Sequence, residues 1–269
     1  MASFSQKLEQ ACKGNNSFVC VGLDPSPERL PAAVAGAANP VLEFNRRLVD
    51  ATADLVCCYK PNWAFYGALG PAGWEALQGT LEHIPDHIPV LLDAKVGDIG
   101  STAERYAVMC FETLGADALT VTPYMGADAV KPFLAYGDKG VFLVCLTSNA
   151  GADDFEKQLM GERPLYERVV EKAQEWDTAG NCGLVVGATQ PEHIADLRRL
   201  APEMPFLIPG IGAQGGDLQA AVSKGADAQG GGFLINSSRG IMYASSGEDF
   251  AEAARAATDE LRQQINDCL

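Results

Sequence analysis

The sequence predicts a (β/α)8 barrel forming a single domain, and three observations predict it. Short apolar runs of strand length alternate with amphipathic helical stretches eight times. The length of 269 residues suits one large barrel or two small domains, and no shift in composition marks a linker between halves. Several of the strands end in a charged residue, as strands do where a site occupies the C-terminal rim of a barrel.

Taken in order, the first sixteen residues read as a leading helix. Phe18 to Asp24 is a strand that stops at Pro25, with Cys20, Gly22 and Asp24 on one face and Val19, Val21 and Leu23 on the other. The second set is bulkier and suits the face covered by helices. Asn39-Pro40 opens a helix over Val41–Ala53. Leu55–Pro61 is the second strand, in which Val56, Cys58 and Lys60 share a face. Gly70–Ile84 is helical. Pro89–Lys95 is the third strand, with Leu91, Asp93 and Lys95 on one side. Ser101–Leu114 is the third helix, and Ser101-x-x-Glu104 has the form of a capping box.

The alternation continues through a strand at Ala116–Pro123, a helix at Ala127–Tyr136 and a strand at Gly140–Ser148. Asn149–Pro164 is polar, weakly patterned and long for a strand-to-helix connection, which marks it as a candidate lid. Helices at Leu165–Asp177, Pro191–Leu200, Asp217–Lys224 and Glu248–Leu269 then alternate with strands at Cys182–Gly187, Pro205–Gly210 and Ala228–Asn236. A doubly wound open sheet is the alternative. It would need fewer units and a glycine fingerprint after the first strand, which Gly22-Leu23-Asp24-Pro25 does not supply.

Composition narrows the function. Hydrophobic residues make up 47% and charged residues 20%, a globular balance. No apolar run approaches the ~20 residues of a membrane span, and Met1–Asn16 lacks the apolar core of a secretory signal, so a cytoplasmic location is expected. The net charge of −15 argues against nucleic acid or an anionic membrane as partner. Any anionic ligand must be held by a local positive site. Most of the eight cysteines sit in apolar runs, without Cys-x-x-Cys or Cys/His clustering, and read as reduced core residues with no metal role. Adjacent Cys57 and Cys58 would face opposite sides of their strand. His83, His87 and His193 fall away from the strand ends and receive no role.

The strand ends bring charges together. Asp24 ends the first strand, Lys60 the second, and Asp93 and Lys95 the third, giving signs −, +, −, + on three successive strands, all on the barrel-facing side. Asp98 lies past the third strand and continues neither of its faces; a helix cap is its simplest role. Ser148 ends the fifth strand. Across the rim, Gly210-Ile211-Gly212-Ala213-Gln214-Gly215-Gly216 follows the seventh strand, and Ser237-Ser238-Arg239-Gly240 the eighth. Glycines allow close backbone approach to an anion, and arginine binds phosphate bidentately. These two loops are where barrels most often hold phosphate. Tyr124 and Pro61-Asn62 could also line the pocket.

Asp93-x-Lys95-x-x-Asp98-Ile99-Gly100-Ser101-Thr102 resembles the signature of the orotidine 5′-phosphate decarboxylase family. Gly22-Leu23-Asp24-Pro25, Lys60-Pro61, Leu146-Thr147-Ser148-Asn149, Pro209 to Gly216 and Ser238-Arg239 extend the resemblance from about Phe18 to Arg239, and the length matches the longer bacterial group. Val96 and Ser238 are its departures, both at positions the pattern leaves variable. The resemblance implies decarboxylation of orotidine 5′-monophosphate to UMP without metal or organic cofactor, by a homodimer. It implies Lys95 as proton donor to C6, Asp93 beside the departing carboxylate, and Lys60 and Asp24 holding the ribose and the charge network. Asp98 and Thr102 would reach the partner's site, Ser148 the pyrimidine edge, and Gln214 and Arg239 the phosphate. A magnesium-dependent sugar-phosphate decarboxylase of the same superfamily would carry an acidic residue near Lys60. A phosphate-binding barrel without activity would have no need of a lysine between two aspartates.

Overall fold

The computed structural model describes residues 2–211 and 215–269. Eight parallel strands form one sheet: β1 (Val19–Leu23), β2 (Cys58–Pro61), β3 (Leu91–Val96), β4 (Ala118–Val121), β5 (Gly140–Leu146), β8 (Cys182–Val186), β9 (Phe206–Pro209) and β10 (Phe233–Ser237). A separate antiparallel hairpin, β6 (Leu159–Met160) and β7 (Arg163–Pro164), lies between β5 and β8. The sheet runs β2-β1-β10-β9-β8-β5-β4-β3. Parallel bridges Tyr59↔Val90 and Asn62↔Asp93 bring its two ends together, so the strands form a barrel rather than an open sheet. Helices alternate with the strands: α1 (Phe4–Asn15), α2 (Pro40–Thr52), α3 (Trp63–Gly67), α4 (Pro71–His83), α5 (Gly100–Ala107), α6 (Ala127–Leu134), α7 (Leu165–Trp176), α8 (Pro191–Leu200), α9 (Leu218–Gly225), α10 (Arg239–Met242) and α11 (Phe250–Asn266).

The two strand faces bury different cores. Val19, Val21, Leu23, Leu92, Val121 and Leu143 pack outward into the large layer beneath the helices. Cys20, Cys58, Leu91, Ala118, Phe142, Val185, Leu207 and Leu234 fill the barrel interior. α1 closes the bottom of the barrel. Its Phe4 meets Phe142 edge-on at 5.8 Å, and Leu8 and Cys12 pack against the same interior cluster. With that end plugged, the open end is the rim where the strands finish.

Several local expectations need correction. Val56 joins the outer layer, and Cys57 and Cys58 both pack into the interior. β2 begins only at Cys58, so the period-two rule does not reach back to 56 and 57. The last barrel strand starts at Phe233 rather than Ala228. Gly230 and Gly232 take φ values of +78° and +73°, and Asp227 Oδ1 accepts from the backbone of Gln229 and Gly231 at 2.8 and 2.9 Å, making the run a turn. The Ser101/Glu104 capping box does not form. Gly100, at φ +56°, turns the chain into α5 one residue early, and the N-cap position is Ile99. After Ala107 this helix widens into a π-helical stretch over Val108–Thr113. The described cysteines are all free thiols, six of the eight buried.

Candidate active site

At the open rim lies a cavity of about 380 Å³. Asp24, Lys60, Asp93, Lys95, Ser148 and Arg239 all line it, together with Asn149, Gly210, Ile211 and Ser237. The strand-end charges predicted from parity therefore do share one space.

Asp93 is the hub, 7% exposed. Its Oδ2 accepts from Lys60 Nζ at 3.0 Å and from Asn62 Nδ2 at 3.4 Å. Its Oδ1 accepts from Lys95 Nζ at 2.5 Å and from Thr120 Oγ1 at 2.9 Å. Four donors fill the acceptor sites of an ionised carboxylate. Burial opposes ionisation of Asp93, but Lys60 and Lys95 outweigh it and hold the carboxyl well below the usual carboxylate range. Lys60 is 3% exposed. Burial works against its charge as well, and the carboxylates of Asp93 and Asp24 more than reverse this, so its ammonium is held above the ordinary lysine range. The pair stays charged throughout neutral pH. Lys95 differs: its side chain is 47% exposed, facing the cavity.

The surrounding scaffold places these groups. Asp24 Oδ1 accepts from Asn62 N at 3.1 Å. The Tyr66 hydroxyl donates to Leu23 O at 2.9 Å and fixes the strand end just before Asp24. A Cβ at Gly22 would overlap Ser238 Oγ, so glycine is what lets β1 and the turn after β10 approach this closely. Lys95 sits at φ +45°, in the left-handed region that non-glycine residues rarely adopt.

A second cavity, of about 1140 Å³, lies apart from the charges. Thr122, Tyr124, Phe155, Met160 and Trp176 are among its lining residues. Its walls are mostly apolar and hold none of the alternating charges, which makes the smaller space the candidate site.

A model described as the Orotidine 5'-phosphate decarboxylase / HUMPS family matches residues 17–257. The chain belongs to that family. It is 54% identical over 267 residues to an orotidine 5'-phosphate decarboxylase of Azoarcus sp., with 98% of each chain covered. The solved OMP decarboxylase of Leishmania donovani superposes with a TM-score of 0.88 at 43% identity, covering 99% of this chain and 98% of that one. The same organism's UMP synthase superposes with a TM-score of 0.90 at 44% identity; this chain spans 57% of that longer one.

As a member of the orotidine 5'-phosphate decarboxylase family, the chain gathers most but not all of its signature in one place. Asp98 is half-buried and does not line the cavity; its Oδ1 accepts from the next backbone N–H, Ile99, at 2.7 Å. It caps no helix turn. Thr102 is exposed on α5, also outside the cavity. Gln214 lies outside the described residues. Tyr124 is 77% exposed and lines the apolar cavity, not the charged one. The histidines stay away from the site: His83 pairs with Asp50 and His193 with Tyr166.

Asn62 carries more than its position after Lys60-Pro61 suggested. Its backbone holds Asp24, its amide reaches Asp93, and its Oδ1 caps α3 through Ala64 N at 3.1 Å. Thr120 carries no distinctive sequence signal, being a threonine within a buried strand. Arg29 also lines the cavity, stacked 3.8 Å over the Tyr243 ring.

Proposed function

We propose that the chain decarboxylates orotidine 5′-monophosphate to UMP and CO2 with Lys95 as the proton donor. The observation that carries this is the alternating array Asp24, Lys60, Asp93 and Lys95 sharing one cavity with Arg239. Loss of CO2 from C6 leaves an electron pair in an sp2 orbital that the ring cannot delocalise. A cation fixed beside that carbon stabilises the developing charge and then supplies the proton. Lys95 is the more exposed of the array's two cations, and Asp93 pins it at 2.5 Å. Lys60, buried on the other side, keeps Asp93 ionised and in place beside the departing carboxylate. Asp24 serves the ribose and Ser148 the pyrimidine edge. No metal or organic cofactor takes part. Release of product in the presence of EDTA tests the reading: absorbance at the substrate band should fall on adding orotidine 5′-monophosphate. Tight UMP binding with no turnover would sink it.

Arg239 and Gln214 take the phosphate. Arg239 is exposed at the start of α10 and points its chemistry into an otherwise strongly acidic protein, so its local charge decides anion binding. Arg239→Ala is expected to raise KM for orotidine 5′-monophosphate by about 10- to 100-fold, the value of one charge-assisted contact. Turnover of phosphate-free orotidine should not change. An equal loss with both substrates would remove the phosphate role.

Asp98 and Thr102 complete the site of a second copy in a homodimer. Both sit beside Ile99, which is 55% exposed, and Met125 and Tyr124 add further exposed apolar surface. Mixing inactive Asp98→Ala and Lys95→Ala subunits should restore about a quarter of the sites, since only mixed dimers contain one intact copy. No recovery, with subunit exchange confirmed by mass, would rule out sharing. The lid is the 149–164 segment. It carries the β6–β7 hairpin and is anchored by Glu156, which accepts from Thr147 N at 2.7 Å.

A further inference from the structure

We propose that Thr120 is a positioning residue, whose buried hydroxyl holds Lys95 and Asp93 in register for the proton transfer; the inference rests on the activity proposed above. The β3–β4 ladder pairs Leu92 with Leu119 and Val96 with Val121. Residues 93, 94 and 95 of β3 therefore face only residue 120 of β4. The surplus chain has to bulge. It does so at Lys95, whose φ of +45° is strained for a residue with a Cβ. Such a conformation persists only where its surroundings impose it.

Thr120 supplies that imposition. Backbone pairing with β4 resumes only at Val96, whose carbonyl accepts from Thr122 N at 2.8 Å. Within the bulge a side chain serves instead: Lys95 N donates to Thr120 Oγ1 at 2.9 Å. The oxygen is thus an acceptor for the backbone, and its own proton goes to Asp93 Oδ1, also at 2.9 Å. The same carboxylate oxygen receives the Lys95 ammonium at 2.5 Å. A closed circuit runs from the Lys95 backbone through Thr120 and Asp93 to the Lys95 side chain. Thr120 is 0% exposed, so water does not compete for its hydroxyl.

The other peptide group of Lys95 is held in the same manner. Thr122 Oγ1 donates to Lys95 O at 3.1 Å. The segment Thr120-Val121-Thr122 therefore grips both sides of the strained residue, while Val121 between them packs outward into the core. The pairing fixes where the Lys95 chain leaves the backbone and where the carboxylate that orients it stands. Displacements near 1 Å in such a group are enough to cost about 10²-fold in rate.

The test compares Thr120→Val, which keeps the shape and deletes the hydroxyl, with Thr120→Ser, which restores it. Wild-type turnover of orotidine 5′-monophosphate is measured first, and its absence would overturn the proposed activity, separately from this inference. In active enzyme, Thr120→Val is expected to lower kcat about 100-fold, with KM and UMP affinity within about threefold of wild type. Thr120→Ser should stay within about threefold in kcat. Thr122→Val, at a half-buried position where folding is not at stake, should lower kcat about fivefold at unchanged KM. Wild-type kcat in Thr120→Val overturns the proposal, as does a loss that Ser does not restore or that raises KM equally. If Thr120→Val does not fold, wild-type kcat in Thr122→Val overturns it.

Discussion

Replacing Lys95 with alanine is expected to slow CO2 release by about 10⁴-fold or more, because in the proposed mechanism one group supplies both the cation beside C6 and the proton. The folded protein should survive the change. The Lys95 side chain is 47% exposed, and without it Asp93 still accepts from Lys60, Asn62 and Thr120. UMP should bind the variant, since the residues proposed for the phosphate and ribose, Arg239 and Asp24, follow other strands. Release of CO2 from orotidine 5′-monophosphate measures the effect. Near-normal release would remove Lys95 from the chemistry, whatever else the site does.

Asp93→Asn should produce the largest change in stability. An amide in either orientation turns an NH2 group toward one of the two ammonium groups that Asp93 now neutralises. Lys60, 3% exposed, is left with Asp24 as its remaining counter-charge. Breaking one partner out of a buried ion pair costs about 3–5 kcal/mol, a drop in Tm of about 10 °C for a chain this size. The sign of the pH dependence follows from the two shifts. Asp93 is held below its unfolded value, so its contribution is present above about pH 4 and is lost as pH falls through the folded value. Lys60 is held above its unfolded value, so its contribution is present below about pH 10 and is lost as pH rises through the folded value. The gap between wild type and variant should therefore be level across neutral pH and shrink in strong acid. Equal melting temperatures at pH 7 would contradict the hub role of Asp93.

Much of the site was legible because a strand encodes its two faces locally. Cys20, Cys58 and Leu91 reach the barrel interior as the alternation requires, and Asp24, Lys60, Asp93 and Lys95 follow them to the rim. The rule failed where the strand itself was shorter than the apolar run. Cys57 lies before β2 and is not bound by its pleat. The residues 228–232 resemble a strand entrance but fold as a glycine turn around Asp227. Ser101 and Glu104 have the spacing of a capping box, yet Gly100 starts the helix one residue early. Tyr124, a candidate for the charged pocket, lines the apolar cavity instead. The chain turns there, and the ring faces an apolar space beside α7.

By itself, then, the sequence determined the barrel, the rim that carries the charges and the order of those charges along it. These follow from the period of apolar residues and from which residue ends each strand, both local properties. Only the tertiary structure decided how the charges pair. Asp93 takes four donors from three strands and the loop after β2, Asp98 turns away from its own cavity, and Lys95 is held at φ +45° by a threonine 25 residues further along the chain. The physical reason is register. Periodicity states which face a residue occupies, but not which residue of the next strand stands opposite it. That depends on closing eight twisted strands into one barrel, and the surplus left between Leu92 and Val96 is what places the hydroxyl of Thr120 against Lys95.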